Sequence, residues 1–355
     1  MEIVKDLVSV IVPCYNMSNR IHRLFDSLLT QTYKKLQIIL VNDGSTDNSE
    51  EIVLEYKKKF EIQGIDFQYI LQTNTGLGGA INKGLKYIKG EFFIWPDADD
   101  WLASDSVEIR VKFLKENLDY GFVRSDAYLF FESDLKHPIG LLTDKNPEKS
   151  KIQDLLLNYI WEKNANYCPG CHMIRTALFQ SVCKNMDIYS ARGGQNFQLL
   201  APMLCNYKFG YIDKPLYNYV IYKRSMSHGD NTFDEYIRRT KIGEDIKVQT
   251  LRILPLPENV KRDYINQVHQ KCNISRAQIS YDFGNKKAFD YHYNTIDNQY
   301  IPVELNKIYK SSFLTSPLWL LLHKLFSKSL RKLKSSNISY YLRAKRFQIK
   351  KFLRW

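Results

Sequence analysis

An α/β fold, with a mainly parallel sheet flanked by helices, is predicted from three features of the first hundred residues. Apolar segments of strand length alternate with segments of helical period. The strand segments are apolar throughout, as strands covered by helices on both faces must be. Acidic, polar and glycine-rich residues collect where each strand segment ends, which is the edge at which such sheets bind ligands.

The first strand, 7–13, is Leu7-Val8-Ser9-Val10-Ile11-Val12-Pro13, followed by Cys14-Tyr15-Asn16; Ile21, Leu24, Phe25, Leu28 and Leu29 then recur at helical spacing. A second strand over 36–41 ends in Asn42-Asp43-Gly44-Ser45-Thr46-Asp47, before an amphipathic helix carrying Ile52, Val53 and Tyr56. The third, 67–71, leads through Asn74-Thr75-Gly76-Leu77-Gly78-Gly79 into a helix over 80–88. The fourth runs from Glu91 into Trp95-Pro96 and stops in Asp97-Ala98-Asp99-Asp100, three carboxylates within four residues. A later strand is expected over 121–126, ending at Asp126.

Three carboxylates at a strand end repel one another unless a cation joins them. Hard oxygen ligands on a turn suit Mg2+ or Mn2+, and those ions suit a diphosphate. The competing reading is local: Asp99, Asp100 or Ser104 as the cap of the helix that follows.

Four segments then fall into one frame: Val10-Ile11-Val12-Pro13-Cys14-Tyr15-Asn16, Ser27-Leu28-Leu29-Thr30-Gln31-Thr32-Tyr33, Val41-Asn42-Asp43-Gly44-Ser45-Thr46-Asp47 and Asp97-Ala98-Asp99-Asp100. In this order and spacing the first third of the chain resembles the family-2 glycosyltransferases of the GT-A fold. A weaker likeness continues to about residue 228 through Gly193-Gly194-Gln195-Asn196 and Arg224-Ser225-Met226-Ser227. The resemblance implies a Rossmann-like, mixed but mainly parallel sheet. It also implies transfer of a sugar, of the hexosyl class, from a nucleotide donor to an acceptor hydroxyl with inversion at the anomeric carbon.

The residue types suit that chemistry. Tyr15 after Pro13 offers a flat face for a base, and Asp43 an acceptor for an imide N–H, which selects uracil or thymine; otherwise Asp43 is a turn residue bonding its own backbone. Gly76 and Gly79 let backbone N–H groups approach a ribose or an anion, or simply start a helix. Where the family often has Arg, this chain has Ile81. By resemblance, Asp97 and Asp99 with Ala98 between them form the Asp-x-Asp motif, Asp97 nearer the ribose and Asp99 nearest the metal. Arg224 is then a phosphate partner and His228 a third ligand, both on a segment that closes over the donor in related enzymes.

One departure matters. The family's inverting members carry Glu-Asp where this chain has Gln195-Asn196, and an amide does not act as a general base. Either Gln195 and Asn196 bind acceptor or diphosphate while Asp126 or Asp187 takes the proton, or the pair caps an ordinary helix. A non-catalytic GT-A-like protein that binds nucleotide or glycan is the alternative function.

Three regions follow: a catalytic domain over 1–230, a C-terminal helical extension over 231–304 broken at Pro255-Leu256-Pro257, and a tail over 305–355. The tail holds 13 of the 51 Lys and Arg and no acid, leaving 38 basic residues against 38 Asp and Glu before it. Nucleic acid is not the expected partner, because Leu318, Leu321, Leu322, Leu325, Phe326 and Leu333 share one helical face opposite Lys324, Lys328, Arg331 and Lys334. That pattern suits an anionic membrane surface and is too short to span one; the alternative is a helix packing its leucines on the domain. The start lacks a signal-peptide pattern. The expectation is a cytoplasmic protein, peripheral on the inner face of the cell membrane, that joins a UDP-sugar to a glycan or lipid-linked acceptor with Mn2+ or Mg2+. The six Cys are expected as thiols; Cys168-Pro169-Gly170-Cys171 is read as packing in preference to a metal or redox site, since no second Cys pair stands at zinc-site spacing.

Overall fold

The computed structural model describes residues 2–143, 155–163, 165–189, 193–222, 230 and 232–310. Its elements in order are β1 (Val4–Cys14), α1 (Ile21–Leu29), β2 (Leu36–Asn42), α2 (Ser49–Ile62), β3 (Asp66–Leu71), α3 (Gly76–Leu85), β4 (Gly90–Ile94), β5 (Trp101–Leu102), α4 (Ser106–Glu116), β6 (Tyr120–Phe131) and β7 (Gly140–Leu141). Then come α5 (Leu155–Trp161), β8 (His172–Arg175), α6 (Thr176–Val182), α7 (Gln195–Asn206), β9 (Lys208–Ile221), α8 (Phe233–Ile253), α9 (Glu258–Asp282), α10 (Lys286–Asn294) and α11 (Val303–Lys310).

One sheet has the order β3-β2-β1-β4-β8-β6-β9-β5, with β7 beside β6. Its first four strands are parallel, as the alternating pattern requires. Beyond β4 the sheet turns mixed: β8 is antiparallel to both β4 and β6, β6 runs parallel to β9, and β5 is antiparallel to β9.

Every residue of β2 is buried, consistent with cover on both faces. On one face Phe25 of α1 meets Phe60 of α2 edge-on at 5.5 Å and Phe67 of β3 at 5.9 Å. On the other, Gly84 brings α3 so close to β1 that a Cβ there would overlap Ile11. A buried polar pair within the strands, Ser9 and Gln37, is satisfied internally: Ser9 Oγ donates to Gln37 Oε1 at 2.6 Å and accepts from Gly90 N at 2.9 Å. α3 starts at Gly76 rather than at residue 80. Two backbone N–H groups at its start are accepted by Asp43, which fixes the helix inside the glycine-rich turn.

By packing, the described residues form two units. The first holds residues through 222 together with 245–265, the second residues 230, 232–244 and 266–310. α8 ends at Ile253 and α9 starts at Glu258, on either side of the expected proline break. In the second unit Ala277, Phe289, Tyr293, Ile296 and Leu305 form a small core, and Tyr293 stacks on Tyr309 at 3.9 Å. Tyr281 packs against that core, whereas Tyr291 is exposed. The tail beyond Lys310, including its leucine face, lies outside the described residues. Among the described residues no helix is long and apolar enough to cross a membrane, and the six Cys are free thiols.

Candidate active site

The carboxyl ends of β1, β2 and β4 and the start of α3 gather Tyr15, Asp43, Gly76 and the acidic tip at one edge of the sheet. Tyr15 is exposed just past β1, and Pro13 stands opposite Val41 of β2. Asp43 is buried. Its Oδ1 accepts from Gln72 Nε2 at 2.7 Å and Thr75 N at 2.9 Å, and its Oδ2 from Gly76 N at 2.9 Å. Asp43 therefore ties β2 to α3, a wider span than a local turn. Only its Oδ2 carries a single partner, so an imide N–H would be accepted there. Gly76 has φ +81 and Gly44 φ +73, conformations that favour glycine. A Cβ on Gly79 would overlap Thr75. Ile81 is fully buried in the core.

At the tip, the Asp97 amide donates to Tyr217 Oη at 3.1 Å, and Asp100 Oδ1 accepts from Val220 N at 2.8 Å. Asp100 thus pins β9 and does not cap α4; the residue before α4 is Asp105, whose side chain makes no cap bond. Asp100 Oδ2 is buried without a hydrogen-bond partner. The Asp99 backbone oxygen accepts from Arg23 Nη2 at 3.0 Å and from Tyr222 Oη at 2.9 Å.

Charge is concentrated here. Burial, and then the charge of Asp99, push the Asp97 carboxyl up to about 8. Burial, then Asp99 and Asp97, push Asp100 well above the usual range. Asp99 is raised by burial and pulled back by Arg20 and Arg23. Hard oxygen donors held this close, with one orphaned oxygen, fit a divalent cation, which relieves both repulsion and desolvation. Among the described residues no group of three or more His, Cys, Asp or Glu is placed so that it could hold a metal ion. An ion at the tip would therefore have to draw most of its shell from water and substrate phosphates, as Mg2+ commonly does. His228 and Arg224 lie outside the described residues.

The remaining candidates separate. Asn196, near the start of α7, accepts from Trp95 Nε1 at 2.7 Å and donates to the Tyr167 carbonyl at 2.7 Å. Its amide fastens α7 to the strand that carries the acidic tip, and neither it nor Gln195 caps the helix; Gln195 is buried. Asp126 is buried, with its oxygens accepting from Ala127 N, Thr143 N and Thr143 Oγ1 at 2.7–2.9 Å. Asp187 is exposed. The next residue, Ile188, is gripped by Asn82 of α3 through both its N–H (2.7 Å) and its carbonyl (2.6 Å).

Sequence reasoning missed Arg20, Arg23, Tyr217 and Tyr222. One signal was available: two arginines at the start of α1, where the helix dipole disfavours cations unless an anion faces them.

Beneath the tip, Trp95 stacks on His172 at 5.9 Å, and His172 Nδ1 lies 2.9 Å from the Cys168 carbonyl. Burial, and then Arg124, hold the imidazole neutral down to about 3. Between pH 6.5 and 3 the unfolded chain therefore binds a proton that the folded chain refuses, so stability from this site falls as pH falls. Urea unfolding of wild type and His172→Phe tests this: the wild type should lose about 3 kcal/mol relative to the variant between pH 7 and 4. The tip carboxylates, which act in the opposite direction, are common to both proteins. A pH-independent difference would contradict the buried neutral histidine.

This sheet, with its switch to antiparallel order and an acidic tip after the fourth strand, is the GT-A architecture. The chain carries a family-2 glycosyltransferase domain: residues 9–183 match the model for glycosyl transferase family 2. Glycosyltransferase GlyA of Streptococcus pneumoniae serotype 4 is 33% identical over 230 residues, covering 63% of this chain and 32% of GlyA. The chain thus spans about a third of that relative's length. The crystal structure of S. aureus TarS 1-349 with UDP-GlcNAc superposes with TM-score 0.57 at 17% identity, covering 96% of this chain and 92% of that one. The mannosyltransferase PcManGT of Pyrobaculum calidifontis, with GDP-Man and Mn2+, superposes at 0.53 with 16% identity, covering 92% and 86%. At these identities the two structures establish the fold.

Proposed function

We propose that this chain transfers a sugar, with inversion, from a UDP-sugar to a hydroxyl of a glycan or lipid-linked acceptor in cell-surface polysaccharide synthesis, and that the reaction depends on a divalent metal. The observation that carries the reading is the cluster of three carboxylates at the end of β4, Asp100 buried and Asp97 and Asp99 half-buried, all raised by burial, and Asp97 and Asp100 raised further by the charge of Asp99. Asp99 would hold the ion with His228, and Asp97 would face the ribose across Ala98. When bound, Mn2+ or Mg2+ supplies Lewis-acid stabilisation of the departing diphosphate. Tyr15 with Pro13 would stack the base, Asp43 Oδ2 would accept its imide proton, and Gly76 and Gly79 would leave room for the ribose. The UDP-GlcNAc of the TarS complex and the Mn2+ of the PcManGT complex support the donor and the ion. Measuring UDP release from a panel of UDP-sugars with Mn2+ tests it: sustained release is expected, and binding without turnover would favour the alternative.

That alternative, a protein that binds nucleotide or glycan without turning it over, is favoured by Gln195-Asn196 in place of Glu-Asp. For a catalytic chain the acceptor's proton needs another base. Asp187 is the better candidate, since its carboxylate is exposed whereas Asp126 is buried and already accepts three hydrogen bonds. Asp187→Asn is expected to lower kcat by about 10²-fold or more, with Asp126→Asn acting mainly on stability; full turnover in Asp187→Asn would remove this base.

The tail's basic and leucine faces support docking on an anionic bilayer, each basic group adding on the order of 1 kcal/mol. Flotation with anionic liposomes should recover the full chain and lose a version truncated after residue 310. Equal recovery would return the leucines to a packing role.

A further inference from the structure

Asp99 lies beside an arginine whose side-chain donors make no hydrogen bond among the described residues. Arg20 stands just ahead of α1, and its guanidinium carbon lies 3.9 Å from the centre of the Tyr222 ring. Its Nη1 is 4.0 Å from Asp99 Oδ2, close enough for charge attraction and too far for a hydrogen bond. Among the described residues its side chain is credited with that ion pair and the ring contact. The ring itself is fixed: Tyr222 Oη donates to the Asp99 carbonyl at 2.9 Å and receives a hydrogen bond from Arg23. Arg23, which also donates to the Asp99 carbonyl, is thus a structural arginine. Arg20 is different: it rests on a platform, 38% exposed at its side chain, with its planar fork beside the carboxylate assigned to the metal.

We propose that Arg20 binds the diphosphate of the donor. A stacked guanidinium is pre-organised for two parallel hydrogen bonds to phosphoryl oxygens, and stacking keeps it weakly hydrated. With an ion held by Asp99, the donor's phosphoryl oxygens would lie on that side of the carboxylate, and Arg20 would exchange its loose pairing with Asp99 for them. Its place at the start of α1 is then explained, because the helix dipole that disfavours a bare cation there favours the same cation once an anion joins it. The inference rests on the UDP-sugar reading above. A phosphate on the acceptor shares the chemistry and is the other source of such an anion.

Calorimetric titration in Mn2+ separates these. UDP and uridine are titrated into wild type, Arg20→Gln and Arg20→Lys. Arg20→Gln should bind UDP about 10-fold to 100-fold more weakly and uridine unchanged, with Arg20→Lys recovering part of the loss. Equal UDP affinity in wild type and Arg20→Gln overturns the inference and leaves the acceptor phosphate as the anion's source. An equal loss for UDP and uridine overturns it too, marking Arg20 as a residue that only shapes the site. A wild type that binds no UDP overturns the donor reading and this inference with it.

Discussion

Asp99→Ala is expected to lower transfer by about 10³-fold or more while leaving the metal-free fold at least as stable as before. The two effects have opposite signs for one reason. Asp99 is held above the usual carboxylate range by burial, and its charge helps raise Asp97 and Asp100. Removing it relieves repulsion in the metal-free chain. With donor and ion present, the same carboxylate would supply on the order of several kcal/mol of transition-state stabilisation through the cation proposed there, and Asp99→Ala would lose it. Thermal unfolding with and without Mn2+, beside a UDP-release assay, reads both. The melting temperature without metal should hold or rise, the Mn2+-dependent increase should vanish, and turnover should fall to background. Undiminished metal-dependent turnover in Asp99→Ala would remove Asp99 from the chemistry.

The second large effect comes from Gly170, inside the Cys168-Pro169-Gly170-Cys171 segment. Gly170 lies against the Tyr217 ring so closely that an added Cβ would overlap three of its carbons. Tyr217 is fully buried, and its hydroxyl accepts from the Asp97 amide. It follows the slip in register where β6 and β9 pair Asp126 with Pro215 and then Ala127 with Tyr217, an irregularity of the kind that re-aims side chains beside functional sites. Gly170→Ala must therefore displace the ring or the turn. Overpacking of this kind costs about 1–3 kcal/mol or more, and movement of Tyr217 carries the backbone of the acidic tip with it. The expected result is a lower denaturation midpoint together with at least a 10-fold loss of turnover that added Mn2+ does not restore. A variant with wild-type stability and turnover would show that the turn relaxes freely and that Tyr217 does not hold the tip.

The half of the sheet that could be read from the sequence was the half with local signals. β1, β2, β3 and β4 announce themselves as apolar runs between helices of regular period, and their observed limits differ from the expected ones by a few residues. The antiparallel side was only partly legible: the strand expected over 121–126 is the first half of β6, which runs on to Phe131, so Asp126 lies within the strand and not at its end. β8 has four residues and β5 two, too short for any period to register, and their pairing is set by partners far along the chain. The site divides in the same way. Asp97, Asp99, Asp43 and the glycine turn are contiguous motifs, so their types and spacing suffice. Arg20, Tyr217 and Tyr222 meet the tip only because α1 and the end of β9 converge on it, with 123 residues separating Tyr222 from Asp99. Asn196 shows both sides: the departure from Glu-Asp is visible in sequence, whereas its hydrogen bond to Trp95, 101 residues away, is a product of folding.

The most direct measurement is diffraction at the manganese absorption edge from crystals of the full chain soaked with UDP-sugar and Mn2+. The account predicts one strong anomalous peak against the Asp99 carboxylate, bridged to the diphosphate, with the base over Tyr15. A nucleotide seated elsewhere, with no peak at the tip, would contradict it.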